Sequence, residues 1–190
     1  MELLEKRIDR DGVVLGGNVI KVGNFLNQQL DTSFLLELGR EIARLFADAG
    51  VTKILTIEAS GIAIAMAAAI PMNVPVVFAK KSRSTNQSPN TYSAKITSFT
   101  HGKTYEATVA KEYLSADDTI LIVDDFLATG EAMYGLISIV KQAGAKLAGC
   151  SAAIEKGFQR GGDSLREKGI RVESLAIIES MSENGIVYRK

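Results

Sequence analysis

Residues 119–132 read TILIVDDFLATGEA, and this stretch constrains the fold more than any other. Four apolar residues, Ile120 to Val123, run directly into Asp124 and Asp125. A short bend through Phe126, Leu127 and Ala128 reaches Thr129 and Gly130, after which Met133, Leu136, Ile137 and Val140 recur at helical spacing. The pattern is a buried strand that ends in two carboxylates, followed by a small-residue turn that launches a helix. A turn of this kind leaves the first N–H groups of the helix unpaired at its positive end. Phosphate is the usual guest of such an end, and ligands of open α/β sheets collect where strands end. The same pattern also describes an ordinary βα connection with capping or solvated acids. The density of chemistry, two acids, a hydroxyl and a glycine in one short turn, favours a site.

A second unit of the same form precedes it. Lys53–Ile57 reads as a strand, Glu58-Ala59-Ser60-Gly61 as a turn, and the small apolar residues to Ile70 as a helix ended by Pro71 and Asn73. It is either a plain βα turn or a second anion site. A third strand, Lys146–Ile154, ends in Glu155-Lys156-Gly157-Phe158, which carries both charges and an aromatic ring. Between the first two units, Pro75–Ala79 reads as a short strand. The segment from Lys80 to Ser93, KKSRSTNQSPNTYS, is the least core-like of the chain. With Lys80, Lys81 and Arg83, and Lys95 just beyond, it is either a solvated loop or a basic lid over an anionic substrate. Lys95–Thr100 and Thr104–Tyr113 form an expected hairpin turned at His101-Gly102, which makes the single histidine a turn residue.

The flanks are simpler. Met1–Asp11 is an expected short helix closed by Gly12, and Val13–Val22 holds strand fragments around Gly16, Gly17 and Asn18. Asn27 lies in a carboxamide-rich run; it is either solvated or, having both donor and acceptor, suited to a heterocycle edge. Asp31 caps an expected amphipathic helix that Gly50 ends. Gly161 and Gly162 make a loop before a short helix, Asp163–Lys168, and Arg171–Met181 is the last main strand. With no repeat or linker, the 190 residues form one domain. Its fold class is α/β: a mostly parallel twisted sheet flanked by helices, with an inserted hairpin.

Composition removes other classes. Twenty-two basic and 22 acidic residues cancel, so no overall basic field points to nucleic acid. The longest apolar run, Gly61–Ile70, is short of the ~20 residues that span a bilayer, and no signal peptide stands at the N-terminus, so a cytoplasmic location is expected. One cysteine, Cys150, excludes an intrachain disulfide. There is no G-x-G-x-x-G or P-loop fingerprint, no His/Cys cluster for a structural metal, and no G-x-S-x-G elbow.

The stretch Ile120–Ala132 resembles the 5-phosphoribosyl diphosphate (PRPP) motif of the type I phosphoribosyltransferases. The resemblance extends through Gly12-Val13-Val14-Leu15, Phe25-Leu26-Asn27, Thr56-Ile57-Glu58, Ser60-Gly61-Ile62-Ala63, Pro75–Ala79, Val140–Ala145, Ile154-Glu155-Lys156 and Arg171–Ala176. Over nearly the whole chain the pattern is similar to the bacterial xanthine-specific branch, with Asn27 and Lys156 as the pair that selects xanthine. The motif by itself identifies only the superfamily.

The resemblance implies a homodimeric purine-salvage pentosyltransferase with Mg²⁺ accompanying PRPP. Residues 1–30 and 156–190 would form a hood over the base. Asp124, Asp125 and Glu58 would be the catalytic acids, the two aspartates holding the ribose hydroxyls. Ala128, Thr129, Gly130, Glu131 and Ala132 would wrap the 5′-phosphate, and Ser60 and Gly61 the pyrophosphate, with Lys80 and Lys81 closing over it. Ile20, Asn27 and Lys156 would contact xanthine, and Phe158 would stack on it. The hypoxanthine–guanine relatives carry an acid within the phosphate loop. Here Phe126-Leu127-Ala128-Thr129 has none, so xanthine is expected to arrive as its anion without a dedicated base. The alternatives are a guanine or hypoxanthine transferase, and a PRPP-sensing regulator, which would need a nucleic-acid-binding element.

Overall fold

A computed structural model describes residues 1–16, 18–82, 90–98, 103–182 and 185–190. Gly17, Arg83, Glu183 and the expected His101-Gly102 turn lie outside the described residues. The elements run α1 (Glu2–Asp11), β1 (Val13–Val14), β2 (Ile20–Lys21), a π-helical turn (Gly23–Asn27), α2 (Thr32–Leu45), β3 (Lys53–Ile57) and α3 (Gly61–Met72). Then follow β4 (Val76–Ser82), β5 (Thr91–Ser98), β6 (Lys103–Ala110), β7 (Thr119–Leu127), α4 (Glu131–Gln142), β8 (Lys146–Lys156), α5 (Gly161–Glu167), β9 (Val172–Ser182) and β10 (Gly185–Tyr188).

Eight strands form one sheet in the order β10-β9-β8-β7-β3-β4-β6-β5. The five central strands, β9 to β4 in that order, are parallel, as continuous apolar runs covered on both faces require. Antiparallel β10 and the β5–β6 hairpin complete the two ends. One core lies between the sheet and α1, α2 and α3, built from Leu4, Phe25, Leu38, Ile42 and Ile64. The other packs α4 and the hairpin on the opposite face through Ile96, Val109, Met133, Leu136 and Val140.

Several expected boundaries move. The acids do not lie beyond β7: the strand runs on to Leu127, pairing Asp124 with Ala152 and Leu127 with Glu155, because β8 is long enough to keep bonding it. Lys80 and Lys81 belong to β4, which the β6 partner extends past Ala79, and Thr91–Ser93 to β5. Helix α2 stops at Leu45, five residues before Gly50, because a turn intervenes. Pro71 sits inside the last turn of α3 and left-handed Asn73 ends the helix. Gly161 and Gly162 are the first turn of α5 rather than a loop.

Helices α2 and α3 come very close at Gly39, where an added Cβ would meet the Ala67 carbonyl oxygen at 2.1 Å. Pro71 has no N–H to offer this carbonyl four residues earlier. This oxygen faces Gly39, the one α2 glycine.

Candidate functional site

Because β3 and β7 are adjacent and parallel, their two βα turns open on the same edge of the sheet. A crevice of about 210 Å³ lies there. It is lined by Ile57, Glu58 and Ser60 from the first turn, by Asp124 through Met133 from the second, by Lys81 from β4, and by Ile96, Thr97 and Tyr105 from the hairpin.

The β7–α4 turn depends on Gly130, whose φ of 89° suits a residue without a side chain. No side chain caps α4, so its first-turn N–H groups remain for a ligand. Thr129, Glu131 and Ala132 line the same crevice. In the first turn, Ser60 Oγ donates to Asp125 Oδ1 at 2.9 Å. Glu58 accepts from the Lys81 backbone N–H, which ties the turn to β4. Gly61 is needed for another reason: a Cβ there would fall 2.3 Å from Thr56 Oγ1 and 2.6 Å from Asp124 Oδ1, so α3 reaches the acid only because the position is bare.

The vicinal acids are both buried but differ in their partners. Asp124 is buried and accepts from the Asp125 N–H at 2.9 Å. Burial, then the charge of Asp125, raises its pKa well above the ordinary carboxylate range, with Lys81 opposing weakly. Asp125 is the junction of the site: besides Ser60, its Oδ2 accepts from Asn27 Nδ2 at 2.9 Å. The turn that carries Asn27 is anchored by Phe25, whose ring lies edge-on to Phe34. The Arg7 guanidinium lies 5.0 Å and 5.1 Å from these two ring centres and donates to the Asp31 helix cap at 2.8 Å.

Lys156 is half-buried, and burial lowers its pKa. Its Nζ donates to the Asn18 carbonyl at 2.8 Å and stands 5.5 Å over the Phe126 ring. Ile20 is buried, and Phe158 packs against the core. Phe126, not Phe158, is therefore the aromatic that both lines the crevice and faces Lys156. Lys81 points into the crevice with its Nζ 5.2 Å over Tyr105. Lys80, one residue earlier in the strand, lines a separate groove on the opposite face, as the strand pleat demands.

Sequence reasoning missed Phe126, Tyr105, Ile96 and Thr97. Phe126 stood directly after the acids and could have been noticed. The hairpin residues had no local signal, since only the sheet order brings them to the crevice. Among the described residues no three His, Cys, Asp or Glu side chains gather to hold a metal. The carboxylate oxygens of Glu58 and Asp125 at the crevice are still hard donors that suit Mg²⁺ when a polyphosphate supplies the other ligands.

Residues 28–180 match the family model of the phosphoribosyl transferase domain. The chain is 57% identical over 185 residues to a xanthine phosphoribosyltransferase from Ruminiclostridium cellulolyticum, covering 97% of each chain. It is 53% identical to a second from Heliobacterium modesticaldum, covering 99% of this chain and all of that one. Among solved structures, an adenine phosphoribosyltransferase from Trypanosoma brucei superposes with a TM-score of 0.76 at 17% identity, covering 96% of this chain and 83% of that one. One from Rhodothermus marinus gives 0.73 at 19%, covering 93% and 99%. The chain belongs to the phosphoribosyltransferase family, with full-length relatives among its xanthine phosphoribosyltransferases.

Proposed function

We infer that this enzyme transfers the 5-phosphoribosyl group of PRPP to N9 of xanthine, giving xanthosine 5′-monophosphate and pyrophosphate for purine salvage. The single observation that carries the reading is the junction at Asp125, which accepts from Ser60 on one turn and Asn27 on another beside the uncapped start of α4. A sugar phosphate has hydroxyls for the acids and a phosphate for the helix start. The base then lies toward Asn27, Phe126 and Lys156.

The purine nitrogen attacks the anomeric carbon as pyrophosphate leaves from the opposite face, so positive charge grows on the sugar and negative charge on the leaving group. Asp124 and Asp125 hold the ribose hydroxyls. The Ala128–Ala132 turn holds the 5′-phosphate. Ser60, Gly61 and Lys81 serve the departing pyrophosphate, and Tyr105 and Thr97 shield it from water that would hydrolyse PRPP. Positioning two bound reactants supplies ~7–11 kcal/mol, so no strong nucleophile is needed. Glu58 and Asp125 are the residues that would approach Mg²⁺, which when bound neutralises charge on the diphosphate. Of the expected hood, residues of about 1–30 act over the base, supported by the Lys156–Asn18 bond and by Tyr188 Oη donating to Asp9 at 2.8 Å; most of 156–190 instead belongs to the main sheet as β9 and β10.

The working unit is a homodimer in the cytoplasm. No helix among the described residues is long and apolar enough to cross a membrane. Exposed Met66 and Ile70 of α3, with Phe78 of β4, supply an apolar surface for a second copy. Sedimentation of an Ile70→Lys variant as a dimer indistinguishable from wild type would remove that surface from consideration.

Steady-state rates with xanthine, guanine, hypoxanthine and adenine, each with PRPP, test the specificity. A site built for one hydrogen-bond pattern rejects another strongly. Xanthine should lead in kcat/KM, and equal or better use of guanine overturns the assignment.

A further inference from the structure

The phosphate turn has a rear wall that lies outside the PRPP motif. Gly161 N donates to the Ala128 carbonyl at 3.0 Å. A Cβ at position 161 would fall 2.2 Å from that oxygen, 2.5 Å from Thr129 C and 2.6 Å from Gly130 N, all backbone atoms of the turn. A Cβ at Gly162 would fall 2.1 Å from Glu155 Oε1. The first turn of α5 is thus wedged between the back of the phosphate turn and the carboxylate of Glu155.

That carboxylate is fixed. Glu155 is 1% exposed, and Arg166, from the far end of α5, grips it with its two terminal guanidinium nitrogens, Nη1 at 2.9 Å and Nη2 at 2.7 Å. Glu155 also stands opposite Leu127, the last residue of β7 before the turn. A closed path therefore runs from Leu127 across the sheet to Glu155, through Arg166 along α5, and from Gly161 back to Ala128. None of the α5 residues lines the crevice.

We propose that Gly161 and the Arg166–Glu155 pair are positioning residues for PRPP, holding the Ala128–Gly130 backbone where its N–H groups meet the 5′-phosphate. This rests on the reading of that turn as the phosphate site. Close packing of backbone on backbone gives a new methyl group no flexible neighbour to displace, so the turn itself must shift. A misplacement of about 1 Å in a positioned site costs on the order of 10²-fold.

The test uses the full-length enzyme, with Gly161→Ala and Arg166→Lys. Lysine keeps the charge and loses the two-pronged grip. In Gly161→Ala, KM for PRPP and the dissociation constant of ribose 5-phosphate should both rise about tenfold or more, while KM for xanthine moves less than about threefold. Arg166→Lys should show the same split with a smaller amplitude, and it decides the matter if the alanine variant is insoluble. Wild-type PRPP affinity in a folded variant, or parallel rises in both KM values, overturns the proposal. Failure of the wild-type enzyme to bind ribose 5-phosphate overturns the phosphate-site reading itself.

Discussion

Asn27 Nδ2 donates to Asp125 Oδ2 at 2.9 Å, joining residues 98 positions apart. One carboxylate oxygen thereby touches the residue assigned to the base, while the other accepts from Ser60, of the turn assigned to pyrophosphate, at 2.9 Å. Anything that orients Asp125 orients both neighbours.

Replacing Asn27 with alanine removes the amide assigned to contact xanthine and leaves Asp125 with Ser60. KM for xanthine should rise about tenfold or more, a loss of ~1.4 kcal/mol that suits one hydrogen bond. KM for PRPP should change by no more than about threefold. Steady-state kinetics with each substrate varied in turn decide it, and a variant impaired only toward PRPP would refute the role.

Lys156 supplies a pH signature. Burial lowers its pKa, so its ammonium should be lost at a lower pH than in a solvated lysine. On the alkaline side, kcat/KM for xanthine should fall as that donor is lost. Lys156→Arg keeps its charge throughout the range and should remove the limb, even at reduced rate. On the acid side the profile should follow the ionisation of xanthine itself, because Phe126–Thr129 provides no base. An alkaline limb that survives unchanged in Lys156→Arg counts against the assignment.

Asp124 trades stability for function. Its folded-state pKa is raised by burial and by Asp125, so the native state holds its proton to higher pH than the unfolded chain does. The stability tied to that proton is fully present below the unfolded value of about 3.9 and is lost as pH rises through the raised folded value. Asparagine does not titrate and keeps an oxygen to accept the Asp125 N–H. Asp124→Asn should therefore gain about 0.5–2 kcal/mol over wild type at neutral pH, a gain that shrinks in acid, while turnover drops. Thermal melts at several pH values test this, and a difference that grows toward acid would contradict it.

Gly39→Ala should do the opposite, costing stability without touching the site. The added methyl would meet the Ala67 carbonyl group, and the overpacking cost of about 1–3 kcal/mol exceeds the gain of up to ~1 kcal/mol in helix propensity. Both KM values should hold while Tm falls by several degrees. A melt at or above the wild-type temperature would show that the helices separate freely.

Much of the fold was legible because the central strands and α2, α3 and α4 each declare themselves within a few residues, by apolar run or helical period. The Asp124-Asp125 and Thr129-Gly130 pairs were legible for the same reason. Strand ends were less so: β7 carries its acids inside the sheet because β8 extends alongside, which no local pattern in 119–132 records. The expectation that Lys80 and Lys81 share one face did not anticipate the strand pleat, which puts Lys81 at the crevice and Lys80 on a separate groove. The rear wall at Gly161 read as a loop because a pair of glycines signals conformational freedom, whereas here each glycine makes room for another part of the chain.

The sequence by itself determined the class of architecture, the turn chemistry and the candidate acids, because periodicity, turn preference and charge are properties of neighbouring residues. Tertiary structure alone decided that Ser60 and Asn27 meet on one carboxylate, that Phe126 rather than Phe158 faces Lys156, and that the hairpin leans over the crevice. Those contacts span 65 and 98 positions in the two bonds to Asp125. They arise from strand order and packing between distant segments, which short-range preferences do not encode.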